Sequence, residues 1–169
     1  MNRIVVTREG NGVFADWGEG KKPCAIGRSG IGPKHREGDS VTPKGVWPVR
    51  RVLFRPDRVT RPKTLLPVFA IAEDDGWCDA PDDPRYNRPV KLPYPASHER
   101  MWRADHLYDI VVVLGFNDSP IVPGSGSAIF LHVAAPNYSS TEGCVALKLD
   151  DVQALVAALT PGALIEIRS

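Results

Sequence analysis

No stretch of this sequence is apolar for long enough to cross a membrane. A run such as Ile110-Val111-Val112-Val113-Leu114 falls far short of the ~18 residues a spanning helix needs. The first ten residues hold only Ile4-Val5-Val6 as an apolar core, closed by Arg8 and Glu9. A secretory signal wants roughly 7–15 apolar residues there. The chain is therefore expected to be cytoplasmic, and periplasmic only if its N-terminus is processed. Cysteine is scarce: Cys24, Cys78 and Cys144 are three, odd in number and far apart, which excludes a disulfide framework. CxxC, HExxH and HxxxH are all missing, so neither a metal nor any other cofactor is expected. Charge of one sign is missing too. Lys and Arg total 21 against 20 Asp and Glu, a net charge of +1. A nucleic-acid binder would carry a clustered basic excess, so no nucleic acid is expected as a partner. Internal repeats and low-complexity tracts are absent.

What is present is a chain of one ordinary domain's length. Its 169 residues are 43% hydrophobic and 24% charged, a globular composition able to bury a core without cross-links. Proline (16) and glycine (15) are plentiful, and ten prolines lie between Pro43 and Pro95. Proline fixes φ and lacks an N–H, so this middle region reads as turn-rich. Strand signals lie on either side of it. Ile4-Val5-Val6-Thr7, a Gly10-Asn11-Gly12 turn and Val13-Phe14-Ala15 read as a hairpin. Val46 to Leu53 is a strand candidate weakened by Pro48. Ile110–Leu114 and Ala128–Val133 read as strands buried on both faces. Asp150 to Leu159 reads as a helix, with Asp150 as its N-cap. Val152, Leu155, Val156 and Leu159 form its apolar face, and Thr160-Pro161-Gly162 stops it. Ala163–Ile167 is a final strand, and Ser97–Asp105 is a weaker second helix candidate.

One constellation carries chemistry. His132 leaves a buried strand, and twelve positions later Cys144 follows Gly143 in a polar turn. A free thiol ionises only near pH 8.5, so a cysteine nucleophile needs a base, and imidazole is one. Gly143 has no Cβ and lets substrate approach its backbone. The N–H groups around Gly143 and Cys144 can hold an oxyanion. The plain alternative is a packed, inert cysteine, the commoner fate of a free thiol; Cys78 beside Trp77 reads that way. The pairs Asp74/Asp75 and Asp82/Asp83 lie in turns, where sequence neighbours need not face each other as a glycosidase pair does.

His132 followed by Thr141-Glu142-Gly143-Cys144 resembles the signature of the L,D-transpeptidase (YkuD-type) catalytic domain family. Gly38-Asp39-Ser40-Val41-Thr42-Pro43-Lys44-Gly45 is similar to that family's turn motif, and the terminal helix and Pro161–Ile167 are similar to its usual end. The resemblance spans Ile4 to Ile167. It implies a mostly β fold, a single L,D-transpeptidase-type β-sandwich domain over residues 1–169 with one or two short helices. Residues 55–108 are then a turn-rich insertion folding over the cleft. It implies acyl transfer on peptidoglycan stem peptides or muropeptides, with Cys144 as nucleophile and His132 as base and then acid. Gly143 and Cys144 amides would be the oxyanion donors, and a backbone carbonyl in the Val133–Pro136 turn would orient the imidazole. A carbapenem would form a covalent adduct with Cys144.

Two departures stand out. Glu142 replaces the family's common histidine, and Ala146 replaces an arginine two places after the cysteine. Another cation must then meet a substrate carboxylate, with Arg28, Arg36, Arg55 and Arg88 as candidates. Tyr108 and Asn117, at the ends of the Ile110–Leu114 strand, and Thr141 are further candidates for lining the site. With no export signal read, the expected reaction is L,D-carboxypeptidase trimming of tetrapeptide muropeptides by loss of D-Ala in cell-wall recycling. An exported cross-linking transpeptidase is the enzymatic alternative. A muropeptide-binding or thiol-sensing module without turnover, and without a membrane partner, is the other.

Overall fold

The computed structural model describes residues 2–169. Its elements, in order, are β1 (Arg3–Glu9), β2 (Gly12–Asp16), β3 (Lys22–Pro23), β4 (Ile31–Gly32), β5 (Thr42–Pro43), β6 (Gly45–Phe54) and β7 (Val68–Ala70). There follow β8 (Asp75–Cys78), β9 (Pro89–Lys91), β10 (His98–Arg100), β11 (Ile110–Leu114), β12 (Phe130–Val133), β13 (Val145–Leu147), α1 (Leu149–Ala158) and β14 (Leu164–Arg168). The main sheet runs β13-β12-β11-β6-β14-β1-β2-β3, with β7 also on β6. β6 is its spine: Gly45–Pro48 pair with β14, and Val49–Phe54 pair with β11. Pro48 donates nothing to the ladder, but its carbonyl accepts the Gly115 amide at 2.7 Å.

The expected hairpin forms, with Val6 opposite Ala15. The last strand returns to lie parallel to β1, Ile4 beside Ile165. The helix forms too, but it starts at Leu149 with Lys148 at its N-cap and no capping side chain. Asp150 is not the cap. It lies with Asp151 in the first turn, where a carboxylate still favours the positive end of the helix dipole. The second helix does not form. His98–Arg100 pair antiparallel with β8 instead, a tertiary hydrogen-bond ladder that outweighs weak local helix propensity. α1 is thus the one helix among the described residues.

Successive side chains of a strand point to opposite faces, and this divides the core. Ile110, Val112, Leu114, Leu131, Val133, Val145 and Leu147 join Val152, Leu155 and Val156 of α1 in the larger apolar cluster. Val111, Val113, Phe130 and Cys144 pack on the other face with Trp77, Met101 and Tyr108. Residues 55–108 supply that second face with the small sheet β10-β8-β9.

Candidate active site

The Cys144 turn is assembled from three pieces of chain. His132 is in register with Ala146 where β12 and β13 run parallel, and Cys144 immediately precedes β13. The outer side of β13 is held by residues 25–28. Ala25 and Ala146 exchange amide hydrogen bonds of 2.8 and 2.9 Å, and the Thr141 amide donates to Ile26 at 2.9 Å. The motif Gly38–Gly45 supports that segment in turn. Asp39 accepts the amides of His35, Arg36 and Val41, and the Thr42 hydroxyl accepts the Gly27 amide at 2.7 Å. The layers fit only because glycines meet. A Cβ on Gly27 would stand 2.2 Å from the Ser40 carbonyl oxygen and 3.1 Å from Gly143 Cα. Gly143 itself has φ +138°, a conformation that disfavours any other residue.

Cys144 and His132 line one cavity of about 370 Å³. The thiol donates to the Ala128 carbonyl at 3.2 Å and accepts the Phe130 amide at 3.4 Å; it is not hydrogen-bonded to the imidazole. Burial pushes the Cys144 thiol up to about 12, with the nearby Glu99 adding to the effect. Burial pushes His132 down to about 4. Both groups therefore rest neutral. His132 Nδ1 lies 2.8 Å from the Val133 carbonyl oxygen. A carbonyl only accepts, so Nδ1 carries the proton and Nε2 keeps its lone pair. The ring of Tyr108 packs edge-on against the imidazole, centroids 5.3 Å apart, and the Tyr108 hydroxyl donates to Glu99. Burial holds Glu99 up at about 7, against the opposing pull of that hydroxyl and of Arg103.

The cavity brings together some expected residues and leaves others out. Cys144, His132, Tyr108 and Thr141 line it. Arg36, Arg55, Arg88, Arg28 and Asn117 do not. Arg55 is buried elsewhere, its Nε and Nη2 on Asp57 at 2.8 and 2.9 Å, with its guanidinium 3.7 Å above the Trp102 ring. Arg88 borders a separate hollow beside Arg51 and Trp77. Arg36 is exposed and contributes only its amide, to Asp39. Arg28 donates to the Ser40 hydroxyl at 3.1 Å. Asn117 closes its own turn, donating to the Val122 and Gly126 carbonyls. The Gly143 amide is also engaged, donating to the Thr141 hydroxyl oxygen at 3.1 Å, while that hydroxyl donates to the Cys144 carbonyl at 2.7 Å. The Cys144 amide has no acceptor among the described residues.

The cations at the cavity are Lys34 and Arg103, neither singled out by the sequence. Lys34 bonds Asp39 Oδ1 at 2.6 Å. Arg103 pairs with Asp105 through Nε and Nη2. Lys34 could have been suspected from its position five residues before the motif aspartate. Arg103 lies in the segment expected to be helical, and nothing in its neighbourhood marks it. Among the described residues no group of His, Cys, Asp and Glu could hold a metal ion, and no helix is long and apolar enough to cross a membrane.

The family model of the L,D-transpeptidase catalytic domain (YkuD) matches residues 2–167. The chain belongs to that family, whose chemistry is acyl transfer on peptidoglycan peptides. No curated protein matches it. The structure of Bdellovibrio bacteriovorus Bd1075 is similar at 17% identity and a TM-score of 0.47, covering 99% of this chain and 47% of that one. The chain thus spans about half the length of that protein.

Proposed function

We propose that this chain cleaves the terminal D-Ala from tetrapeptide stems of muropeptides, passing its acyl group to water as an L,D-carboxypeptidase. The supporting observation is the fixed tautomer of His132: Nδ1–H is held by Val133, so Nε2 can accept the thiol proton in the cavity that Cys144 shares. In the first half-reaction the thiol turns from Ala128 to Nε2 and gives up its proton. Sulfur attacks the carbonyl carbon, and the C=O electron pair moves to oxygen. When the C–O double bond re-forms, the C–N bond breaks and Nε2–H protonates the departing amine. Water then attacks the thioester, and His132 takes its proton and returns one to sulfur.

Apo hydrogen bonds between nucleophile and base commonly tighten only when substrate binds, so the resting thiol–Ala128 bond is compatible with this sequence. Burial that keeps both partners neutral favours proton transfer during attack over a standing thiolate–imidazolium pair. Tyr108 and Thr141 flank the donor peptide. Arg103, whose Nη1 makes no hydrogen bond among the described residues, takes the carboxylate-reading role in place of Arg36, Arg55 or Arg88. The setting that goes with hydrolysis is cytoplasmic recycling, where released muropeptides meet water and no polymer competes.

The test is incubation with a disaccharide-tetrapeptide in ¹⁸O-water, with a tripeptide amine present as rival acceptor, followed by mass analysis. The expected product is the tripeptide stem with one ¹⁸O in its new carboxylate. Cross-linked dimer as the main product would establish the transpeptidase instead. Unchanged substrate with an alkylatable Cys144 would remove the enzyme reading.

A further inference from the structure

The reaction needs two hydrogen-bond donors aimed at the oxygen that becomes negative, and the nucleophile's turn offers only one. The Cys144 amide is unengaged, whereas the Gly143 amide is spent on Thr141. The missing donor has to come from outside the turn. Lys34 is the buried cation nearest to hand: its side chain is 3% exposed, it lines the same cavity, and its Nζ lies 3.6 Å from the point where a Cβ on Gly143 would stand. An ammonium carries three N–H donors. Two of Lys34's are used, on Asp39 at 2.6 Å and on the Val41 carbonyl at 3.3 Å. The third has no acceptor among the described residues.

The slot that holds this side chain is built for it. A Cβ on Gly126 would come within 2.6 Å of Lys34 Cε, so only glycine lets the stem pass there. Asp39 is the anchor that keeps the ammonium in place. Burial pushes its carboxyl up, but the bonds from Lys34, Val41 and His35 outweigh it and hold it at about 2, ionised through the whole working range. Glu99 and Glu142 oppose negative charge at Cys144, while Lys34 favours it. The turn motif therefore does more than brace the loop. Its aspartate fixes a positive charge beside the nucleophile.

We propose that Lys34 Nζ–H is the second oxyanion donor, acting with the Cys144 amide in place of Gly143. As sulfur bonds to the carbonyl carbon, the C=O pair moves onto oxygen, and the third Nζ–H donates to it. The Nζ–H bond itself does not break, and the oxyanion's electron pair re-forms the C=O bond when the C–N bond breaks. The proposal rests on the acyl-transfer reading above.

The experiment compares two reactions of the same thiol. Imipenem acylation passes through an oxyanion; iodoacetamide alkylation does not. In Lys34→Met the acylation rate constant should fall about 100-fold, while alkylation should fall far less, because burial outweighs Lys34 in setting the ionisation of the Cys144 thiol. The double variant Lys34→Gln/Asp39→Asn removes the cation but keeps a hydrogen-bonded pair, and should show the same split if Lys34→Met does not fold. With the tetrapeptide, kcat should fall and KM stay put. Acylation unchanged in either folded variant overturns the proposal. So does a rise in KM with kcat intact, which would make Lys34 a carboxylate anchor, and so does an equal fall of acylation and alkylation, which would make it structural. Failure of the wild type to react with imipenem and with tetrapeptide would sink the acyl-transfer reading itself.

Discussion

The two faces of the β11–β12 pair are made by alternate residues of the same two short strands, yet they do opposite work. One face, Val112 and Leu131 with α1 behind them, is all hydrocarbon. The other begins the same way with Val111 and Phe130 and then admits Cys144, His132, Tyr108 and Glu99. On the first face burial is simple gain, about 25 cal/mol per Å² of apolar surface. On the second, burial holds a thiol and an imidazole neutral and lifts a carboxyl to about 7, so there burial of polar groups costs stability. Cys24 and Cys144 make the same point in miniature. Burial pushes both thiols to about 12, but Cys24 sits in the hydrocarbon cluster and only Cys144 shares a cavity with a base.

The thiols give the largest expected contrast. Cys144→Ser should lower turnover by about 10³-fold or more, as loss of a nucleophile does, and leave the melting temperature nearly unchanged. Cys24→Ser should do the reverse, costing about 1–3 kcal/mol for a buried hydroxyl with turnover per folded molecule intact. Equal loss of activity in both would abolish the distinction between the faces. Next comes Leu131→Ala, which empties a fully buried site on the hydrocarbon face. Denaturant unfolding should show a loss of about 2–5 kcal/mol, while burst titration of the remaining folded enzyme shows undiminished acylation.

The smallest effect sharpens the polar face. Glu99 holds its proton more tightly folded than unfolded, since its value rises from 4.5 to about 7. Its favourable contribution is therefore complete below pH 4.5 and lost as pH climbs through 7. Arg103, Asp79, Glu142 and Tyr108 are the charged and titratable groups that act on it. Glu99→Gln should melt a few degrees above the wild type at pH 8 and level with it at pH 4. A constant difference across that range would show that Glu99 does not titrate there.

Most of the main sheet could be read directly. The β-branched runs at Ile4 and Ile110 form strands, the expected Ala128–Val133 strand begins only at Phe130 because Ala128 has φ +53°, and the apolar spacing from Val152 to Val156 forms a helix face that Leu159 caps. The middle region was harder, because strands of three or four residues such as β8 and β10 are too short to show a period and owe their existence to each other. The same holds within the site. His132 and Cys144 were legible because a strand end and a glycine turn mark them. Arg103 and Lys34 were not, because a cation's role depends on which cavity its side chain enters. Arg55 was a reasonable candidate by its neighbours, but Asp57 and Trp102 hold it in the core.

By itself, then, the sequence determined the mostly β class, the alternation that separates the two faces, and the placing of a histidine on a strand and a cysteine after a glycine turn, all properties of near neighbours and short periods. Only the tertiary structure decided that the Gly143 amide is taken by Thr141, that His132 is neutral and held by Val133, and which two cations border the cavity of Cys144. The physical reason is distance: hydrogen-bond donors and buried charges act over a few ångströms in space, and residues as far apart in the chain as Lys34 and Gly143 become neighbours only when the glycines at 27, 126 and 143 let their segments close together.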